Sequence, residues 1–363
     1  MDFYSDKSEV LLNPKLEMDK TAIQKELLTD RFKAHFFIAS SGTTKKDGDD
    51  LKLVALSKNA LLISAKAVNQ HLNATSKDIW LNCLPHFHVG GLGILSRATL
   101  TKSRVIRLEK WDPKTFHELI SACTITLTSL VPAQVFDLVL HKLQAPKCLR
   151  VVVVGGGAIN QQLYEKALHL GWPLLISYGL TECCSQVATS TTRSLNLSLL
   201  QHVEAQISPK GYLMLKSQSL LTAYVFASPT KINTIDPKVN DWFITEDLAT
   251  IDNNTLTIHG RTSDFIKIGG EGVIFSQLEK RLEEIKINRQ LTHDAALVAV
   301  EDDRLGFLVH LATTHPDCTS LVEDFNASVM PYERIRKTHL VDSIPRTSLN
   351  KLCKSALRQK LFH

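Results

Sequence analysis

The chain has 363 residues, of which 44% are hydrophobic and 22% are charged, and its net charge at pH 7 is +5. This length predicts one large and one small domain rather than a single core. The positive charges are scattered and form no Lys/Arg block, which gives little support to nucleic-acid binding. A net charge of this size suits a small anionic ligand as readily as a larger partner. No stretch approaches a transmembrane helix, and the N-terminus, MDFYSDKSEV, lacks the apolar core of a signal peptide. Seven cysteines without C-x-x-C spacing indicate free thiols and a cytoplasmic protein.

A strand followed by a hydroxyl-rich loop is predicted near the start of the chain. His35–Ala39 is an apolar run of strand length, and the segment 40–44, SSGTT, follows it directly. Hydroxyls around a glycine supply O–H and N–H donors for phosphate oxygens. The loop lacks the spacing of a Walker loop, however, and a loop rich in Ser and Thr is more often only a connection. Lys52–Leu56 then predicts a second strand, and Ser57 predicts the cap of a helix over 58 to about 72.

Two histidines precede an apolar helix in the next segment. Trp80–Leu84 predicts a strand, and PHFHVGGL follows from Pro85 onward. His86 and His88 could share one strand face, but no third ligand of recognisable spacing follows, so imidazoles that line a site are favoured over a metal pair. Arg97 lies in a helix that is otherwise apolar, where it either extends to the surface or awaits a carboxylate.

The stretch from 151 to 189 predicts a βαβ unit. Val151–Val154 is a short buried strand that ends at three glycines, and a helix follows until about Gly171. Leu174–Ser177 predicts a second strand, which delivers Tyr178–Glu182 to a turn. Open α/β sheets bind ligands at the carboxyl ends of such strands, and an aromatic ring, a hydroxyl and a carboxylate suit a nucleotide with Mg²⁺. Alternatively, the glycines only form a tight turn and the carboxylate only starts a helix. A dinucleotide fold is disfavoured because GGGAIN lacks the third glycine of G-x-G-x-x-G.

The remaining pattern predicts an α/β fold with two domains. Val105–Leu108 and Ile125–Ser129 repeat the short buried strand, which favours parallel or mixed sheets with helical crossovers. Short strands joined by turns predict a β-rich module over about 200–262, so the large domain is predicted to span 1–262. Residues 263–363 predict a small, mobile α+β domain that acts as a lid. A glycine-rich loop over Ile266–Val273 is predicted near its start.

Several motifs occur in an order that is typical of one family, beginning at about His35. They are SSGTT, LPHFHVGGL, GGGAI, YGLTE, WFITEDLA, GRTSDFIKIGGEG and PRTSLNK. This series resembles the adenylate-forming superfamily of acyl-CoA synthetases. Within it, YGLTECCSQ, FHVGGLGILSR and GGEG are most similar to the 2-succinylbenzoate–CoA ligase family of menaquinone biosynthesis. The resemblance also implies a large domain that is N-terminally shortened relative to the family.

The resemblance implies a two-step reaction. A carboxylate, here that of 2-succinylbenzoate, attacks the α-phosphorus of ATP in the presence of Mg²⁺ and forms an acyl-adenylate and pyrophosphate. The thiol of coenzyme A then attacks the acyl carbon and expels AMP. Other readings stay open, namely an acyl- or aryl-CoA synthetase for another acid, or a non-catalytic nucleotide-binding relative. Neither nucleic-acid binding nor membrane insertion is expected, and a homodimer is left open.

The same resemblance implies roles for individual residues. Contacts to the β- and γ-phosphates are implied for Ser40, Ser41, Gly42, Thr43, Thr44 and Lys52. The adenine slot is implied to consist of Gly155, Gly156, Gly157, Ala158 and Tyr178, and the ribose contacts to be Asp247 and Arg261. Catalytic roles are implied for Lys351 at the α-phosphate, Thr181 at a phosphate oxygen, Glu182 as Mg²⁺ ligand, and His88. A pantetheine tunnel is implied for Lys267, Gly269 and Gly270, and the acyl pocket for His88, Arg97, Ser185 and Gln186.

Overall fold

The computed structural model of the protein describes residues 1–14, 27, 32–39, 51–227, 232–347 and 351–362. The chain divides into two compact units. The first unit comprises Met1–Ala158, Ala167–Thr245 and Ile251–Thr257, and the second comprises Ile159–Lys166, Glu246–Thr250 and Ile258–His363. The predicted phosphate loop, 40–44, lies outside the described residues.

The described strands and helices alternate from residue 51 to residue 180, and the described elements from 185 to 261 are strands. From the start to residue 199 the elements are β1 (Glu9–Leu11), β2 (His35–Ala39), β3 (Leu51–Ser57), α1 (Lys58–Leu72), β4 (Ile79–Asn82), α2 (Val89–Thr101), β5 (Arg104–Arg107), α3 (Pro113–Ala122), β6 (Leu127–Leu130), α4 (Pro132–Leu140), β7 (Val151–Val154), α5 (Gln161–His169), β8 (Leu174–Leu180), β9 (Ser185–Thr189) and β10 (Leu197–Leu199). The later elements are β11 (Glu204–Ile207), β12 (Tyr212–Lys216), β13 (Ala223–Ala227), β14 (Ile232–Ile235), β15 (Phe243–Asp252), β16 (Thr255–Arg261), β17 (Phe265–Ile268), β18 (Glu271–Ile274), α6 (Phe275–Asn288), β19 (Ala295–Asp302), β20 (Gly306–Thr313), α7 (Thr319–Ala327), β21 (Ile335–Leu340) and α8 (Lys354–Phe362).

The largest sheet is mixed and has the strand order β11-β12-β15-β16-β10-β9-β8-β7-β6-β4-β5. The strands β5, β4, β6, β7 and β8 are parallel neighbours, and β9 then pairs antiparallel with β8. The predicted βαβ unit and the α/β class are therefore confirmed. The strands predicted as a β-rich module are present and are divided between two sheets, because β13 and β14 belong to a second sheet of order β1-β2-β3-β13-β14.

Local signals placed several elements correctly. The strand His35–Ala39, the strand Val151–Val154 and the helix Lys58–Leu72 have the predicted bounds. Ser57 caps this helix because its hydroxyl oxygen accepts a hydrogen bond from the backbone N–H of Ala60 at 3.0 Å. The strand predicted over Trp80–Leu84 ends earlier, at Asn82. There the Asn82 side chain accepts the backbone N–H of Leu84 at 3.1 Å, so the chain leaves the sheet before the proline.

The turn predicted over Tyr178–Glu182 is wrong in its first half. β8 continues through Leu180, and only Thr181–Cys183 forms a turn, one of 3₁₀ geometry. The reason is that this segment pairs with a strand that follows it in the chain. β9 runs antiparallel to β8, and Tyr178 lies opposite Ala188 in this pair. Backbone hydrogen bonds to β9 keep the segment extended.

The second unit contains a small sheet with β18, β17, β20 and β19 in order and β21 paired to β20. Its helices α6 and α7 cover a core that includes Leu278, Leu282 and Phe325. The predicted glycine-rich loop is wrong, since this segment forms the hairpin of β17 and β18. Alternate apolar side chains of the hairpin are buried, and Gly269 and Gly270 form its turn with φ of +61° and +90°.

Asp78 and Arg150 join the end of α1 to the largest sheet. Arg150 donates from Nε and Nη2 to the two carboxylate oxygens of Asp78, each at 2.8 Å, and from Nη1 to the carbonyl oxygen of Leu72 at 2.7 Å. Burial raises the pKa of Asp78, but hydrogen bonds from Arg150, Thr75 and Thr126 outweigh it and lower the pKa to about 2. The bidentate pair therefore stabilises the ionised carboxylate in the folded protein.

Asp78→Asn is expected to lower the free energy of unfolding at pH 7 by about 1.5–3 kcal/mol, the value of hydrogen bonds to charged groups. The folded pKa is depressed, so this stabilisation is present above the reference value of 3.8 and is lost as the pH falls toward about 2. Chemical denaturation measures the difference, and exposed Asp241→Asn is the matched control. Equal midpoints for the two variants would contradict a stabilising role.

Candidate active site

The glycine turn follows β7 at the carboxyl edge of the parallel strands. Gly156, Gly157 and Ala158 are exposed there, and the N–H of Gly155 donates to the carbonyl of Leu130 at 3.1 Å. Tyr178 lies on β8, the parallel neighbour of β7, and its ring is half-buried. The residues predicted to contact adenine thus occupy two adjacent strand ends, as expected for a ligand site of an open α/β sheet.

The predicted metal ligand, Glu182, lies in the 3₁₀ turn between β8 and β9. Its Oε1 accepts a hydrogen bond from the phenol of Tyr224 at 3.0 Å, and no other described side chain is hydrogen-bonded to this carboxylate. Lys52, on β3, places its Nζ 3.7 Å from the centroid of the Tyr224 ring. The structure therefore joins two predicted site residues through a tyrosine that the sequence did not single out. No local signal marks Tyr224, because the pairing of β13 with β3 and a backbone hydrogen bond from Leu221 to Glu182 bring these three residues together.

Arg97 is buried in α2, with only 2% of its surface exposed, so of the two alternatives left open for this residue, extension to the surface is excluded. Its Nη2 donates to Ser185 Oγ at 3.4 Å, and its guanidinium carbon lies 5.8 Å from the centre of the Trp80 ring. Among the described residues, no carboxylate forms an ion pair with Arg97, and its buried Nε has no hydrogen-bond partner. Burial lowers the pKa of Arg97 to about 10, so the guanidinium remains charged at neutral pH.

The strand β9 supplies the two other polar residues predicted for the acyl pocket. Ser185 adopts φ of +108°, a conformation that is strained for a residue with a side chain. Gly179, across the hairpin, permits it, because a Cβ at Gly179 would lie 1.8 Å from the carbonyl oxygen of Ser185. Gln186 is 3% exposed, and its Oε1 has no hydrogen-bond partner within the described part of the chain. A strained residue and a buried unsatisfied oxygen thus lie next to each other at this end of β9, a combination that a ligand site can account for.

His88 lies at the start of α2, as the N-cap residue, and is half-buried against Phe87, whose ring centre is 4.8 Å away. Arg97 follows nine residues later on the same helix, which corresponds to about 13 Å along the axis. Neighbouring His86 has a pKa lowered by burial and by the charge of Arg107. Among the described residues, no group of three His, Cys, Asp or Glu side chains has a geometry that could hold a metal ion.

The predicted ribose ligands are paired in the second unit. Asp247, on β15, is 4% exposed, and Arg261, at the end of β16, donates from Nε to its Oδ1 at 2.8 Å. Arg261 also contributes to a lowered pKa at Lys351, where burial is the larger cause. The backbone of Lys351 is held by Thr347, whose hydroxyl accepts its N–H at 3.1 Å. Within the described residues, Lys351 forms no ion pair with a carboxylate.

Other predicted residues occupy the β17–β18 hairpin of the second unit. Lys267, Gly269 and Gly270 are exposed on this hairpin.

All seven cysteines are free, and burial raises the pKa of Cys183, next to Glu182, to about 12, so this thiol is protonated at neutral pH. None of the helices in the described ranges has the length and apolar character that crossing a membrane demands.

Comparisons with known proteins match most of the chain. A family model described as AMP-binding enzyme matches residues 7–209. A 2-succinylbenzoate–CoA ligase of Staphylococcus epidermidis is 30% identical over 337 residues, which cover 88% of this chain and 69% of that protein. A ligase of the same name from Bacillus cereus is 28% identical over 377 residues, covering 97% and 74% of the two chains.

The solved structures that are similar to this fold include two of one enzyme. One is O-succinylbenzoate coenzyme A synthetase of Bacillus subtilis in complex with ATP and magnesium ion, with a TM-score of 0.74, 25% identity, and coverage of 89% of this chain and 69% of that one. The other is the same enzyme in complex with the acyl-adenylate intermediate OSB-AMP, with a TM-score of 0.73, 25% identity, and coverage of 89% and 68%.

Proposed function

Because this chain belongs to the AMP-binding enzyme family, we propose that it is an AMP-forming acid–CoA ligase acting on 2-succinylbenzoate in menaquinone biosynthesis. It forms the acyl-adenylate and pyrophosphate from the acid and ATP, and then transfers the acyl group to coenzyme A with release of AMP. Relatives named 2-succinylbenzoate–CoA ligase, which are similar over most of the chain, support this substrate. The observation in the chain itself that carries the proposal is the buried guanidinium of Arg97.

A buried arginine without an acidic partner is costly unless a ligand supplies one. Removing an ion from water costs several kcal/mol or more, which a hydrogen-bonded counter-ion offsets. Arg97 has a buried, unpartnered Nε and a long contact to Ser185 among the described residues, so its donors are available to an incoming anion. 2-Succinylbenzoate has two carboxylates, one that reacts and one that remains on the ring. We assign the remaining carboxylate to Arg97, with Ser185 and Gln186 as further polar contacts.

The carboxylate of Glu182 fits a magnesium site that is completed by phosphate oxygens. Mg²⁺ prefers oxygen ligands and is usually held by one or two carboxylates together with substrate phosphates and water. One carboxylate oxygen of Glu182 accepts a hydrogen bond from the phenol of Tyr224, and the second oxygen is not hydrogen-bonded to any described side chain. When bound, the ion neutralises charge on the phosphates of ATP. Thr181, in the same turn, is proposed to donate to a phosphate oxygen, and Lys52 to contact the β- and γ-phosphates.

Lys351 is a half-buried ammonium group near another cation, which suits the binding of an anion. Burial and Arg261 lower its pKa, and no carboxylate pairs with it within the described ranges. We assign it to the α-phosphate and the attacking carboxylate, where negative charge concentrates in the transition state. Asp247 is proposed to accept hydrogen bonds from the ribose hydroxyls, with Arg261 holding the carboxylate in place.

Several narrower assignments remain predictions. They are the domain boundary after residue 262, the movement of 263–363 as a lid, the cytoplasmic location, a homodimer, the adenine contacts of Gly155–Ala158 and Tyr178, the pantetheine contacts of Lys267, Gly269 and Gly270, the phosphate contacts of 40–44, and the role of His88 beside the acyl pocket.

Release of pyrophosphate from ATP with a panel of acids, with and without coenzyme A, tests the proposed function. We expect 2-succinylbenzoate to give the highest kcat/KM, and an acyl-CoA product only when coenzyme A is present. A preference for a fatty or monocarboxylic aromatic acid would favour another acyl- or aryl-CoA synthetase. Absence of turnover with every acid, despite binding of ATP, would favour a non-catalytic relative.

Asp247→Asn is expected to weaken ATP binding about tenfold, since a neutral acceptor replaces a charged one whose hydrogen bonds are worth roughly 1.5–3 kcal/mol. The substitution preserves the shape of the side chain, so the fold should be retained. Calorimetric titration with ATP measures the change, and Asp252→Asn, exposed at the end of the same strand, is the control. Unchanged ATP affinity together with full activity would refute the ribose assignment.

A further inference from the structure

Strand pairing in the first unit creates a cluster of Lys52, Tyr224 and Glu182, here called the Glu182 cluster. In the antiparallel pair of β3 and β13, Lys52 lies opposite Phe226 and Tyr224 lies opposite Val54. Lys52 and Tyr224 are thus diagonal neighbours on one face of the sheet, within reach of long side chains. The ammonium of Lys52 lies 3.7 Å from the centroid of the Tyr224 ring, within the range of a cation–π interaction.

Two backbone hydrogen bonds join the segment before Tyr224 to the elements that carry Glu182 and Lys52. The N–H of Leu221 donates to the carbonyl oxygen of Glu182 at 2.7 Å, which joins the 3₁₀ turn to the segment that enters β13. The N–H of Thr222 donates to the carbonyl oxygen of Ala55 at 2.8 Å, which joins that segment to β3. Because both elements are held by the backbone, the phenol oxygen of Tyr224 meets Glu182 Oε1 from a defined direction.

A neutral donor on one carboxylate oxygen has a specific consequence for metal binding. The hydrogen bond from the phenol restricts the rotamer of Glu182 and leaves its second oxygen available to a cation. A lysine or arginine at the same place would compete with that cation for the negative carboxylate. The ammonium over the ring also polarises the phenol and so strengthens its O–H as a donor.

We propose that Tyr224 is a positioning residue, which orients Glu182 toward the divalent cation that accompanies ATP. The inference rests on the proposed function, because it assumes that Glu182 is the metal ligand. Tyr224 touches neither the phosphates nor the reacting atoms in this scheme and acts only through Glu182. Lys52 supports the orientation by its contact with the ring.

The test is the binding of Mn²⁺ to the full chain in the presence of a non-hydrolysable ATP analogue, measured by electron paramagnetic resonance. Tyr224→Phe retains the ring beneath Lys52 and removes only the hydroxyl. We expect it to weaken Mn²⁺ binding about 10- to 100-fold, the usual effect of removing a partner of a metal ligand. Tyr212→Phe, in strand β12 of the same unit, is the matched control and is expected to bind Mn²⁺ as the wild type does.

A double mutant separates positioning from a general structural effect. If Tyr224 acts through Glu182, Tyr224→Phe combined with Glu182→Gln binds Mn²⁺ no more weakly than Glu182→Gln alone. Losses that multiply in the double mutant, or Mn²⁺ binding by Tyr224→Phe that equals the wild type while Glu182→Gln loses it, would overturn the proposal. Failure of the proposed function looks different, because wild type, Tyr212→Phe and Glu182→Gln would then all show the same Mn²⁺ affinity.

Discussion

Lys351→Ala is expected to reduce the rate of adenylation about 100- to 1000-fold, the usual effect of removing one donor that stabilises transition-state charge. Transfer of the acyl group from a supplied acyl-adenylate to coenzyme A should remain nearly unchanged. The ammonium of Lys351 is half-buried and beside Arg261, and its role is proposed only where the carboxylate attacks the α-phosphate. Formation of pyrophosphate measures the first step, and formation of acyl-CoA from the added adenylate measures the second.

Lys337→Ala is the matched control for this result, because Lys337 is an exposed lysine of the same unit, on β21. It should leave both half-reactions as in the wild type. An equal loss of both half-reactions in Lys351→Ala would contradict the proposed role, because it would indicate damage to folding or a function in both steps.

The lowered pKa of Lys351 predicts a particular dependence on pH. Burial, with a smaller effect of Arg261, favours the neutral amine, so the charged form is lost at a lower pH than for an ordinary lysine. The kcat/KM of adenylation should therefore fall as the pH rises through this lowered pKa. In Lys351→Arg this alkaline fall should move to higher pH, because a guanidinium stays protonated. An identical pH profile for the two proteins would show that another group controls it.

Arg97→Leu is expected to lower kcat/KM for 2-succinylbenzoate about 10- to 100-fold relative to an analogue that lacks the ring carboxylate. A hydrogen bond to a charged group is worth roughly 1.5–3 kcal/mol, which corresponds to this change in rate ratio. The leucine is apolar and the site is buried beside Trp80, so the substitution removes an unpaired charge from the core and should not unfold the protein.

Steady-state rates of pyrophosphate release with the two acids measure this selectivity. Arg104→Leu, at an exposed position of β5, is the control for a general loss of positive charge. If Arg97→Leu reduces turnover of both acids by the same factor, or of neither, the guanidinium does not bind the second carboxylate. Ser185→Ala should have the same sign of effect but a smaller size, since its contact to Arg97 is long, at 3.4 Å.

The sequence alone determined the elements whose signals are local. The bounds of Val151–Val154 follow from an apolar run that ends at glycine, and those of Lys58–Leu72 follow from the cap at Ser57. The parallel sheet could also be predicted, because short apolar runs alternate with helices along the chain. The ligand site at its carboxyl edge and the candidate residues come from the order of motifs and stay predictions. These features depend on neighbours in sequence.

Only the tertiary structure decided which distant residues meet. The periodicity of a helix shows that Arg97 is surrounded by apolar residues, but whether solvent or protein lies opposite depends on the elements that pack there, and it is buried. Tyr178 remains in a strand because β9 returns beside it. Tyr224 meets Lys52 because β13 pairs with β3, and it meets Glu182 because the N–H of Leu221 joins the start of β13 to the 3₁₀ turn. Strand pairing depends on contacts between segments far apart in the chain, so the pattern of one segment does not determine which strand becomes its partner.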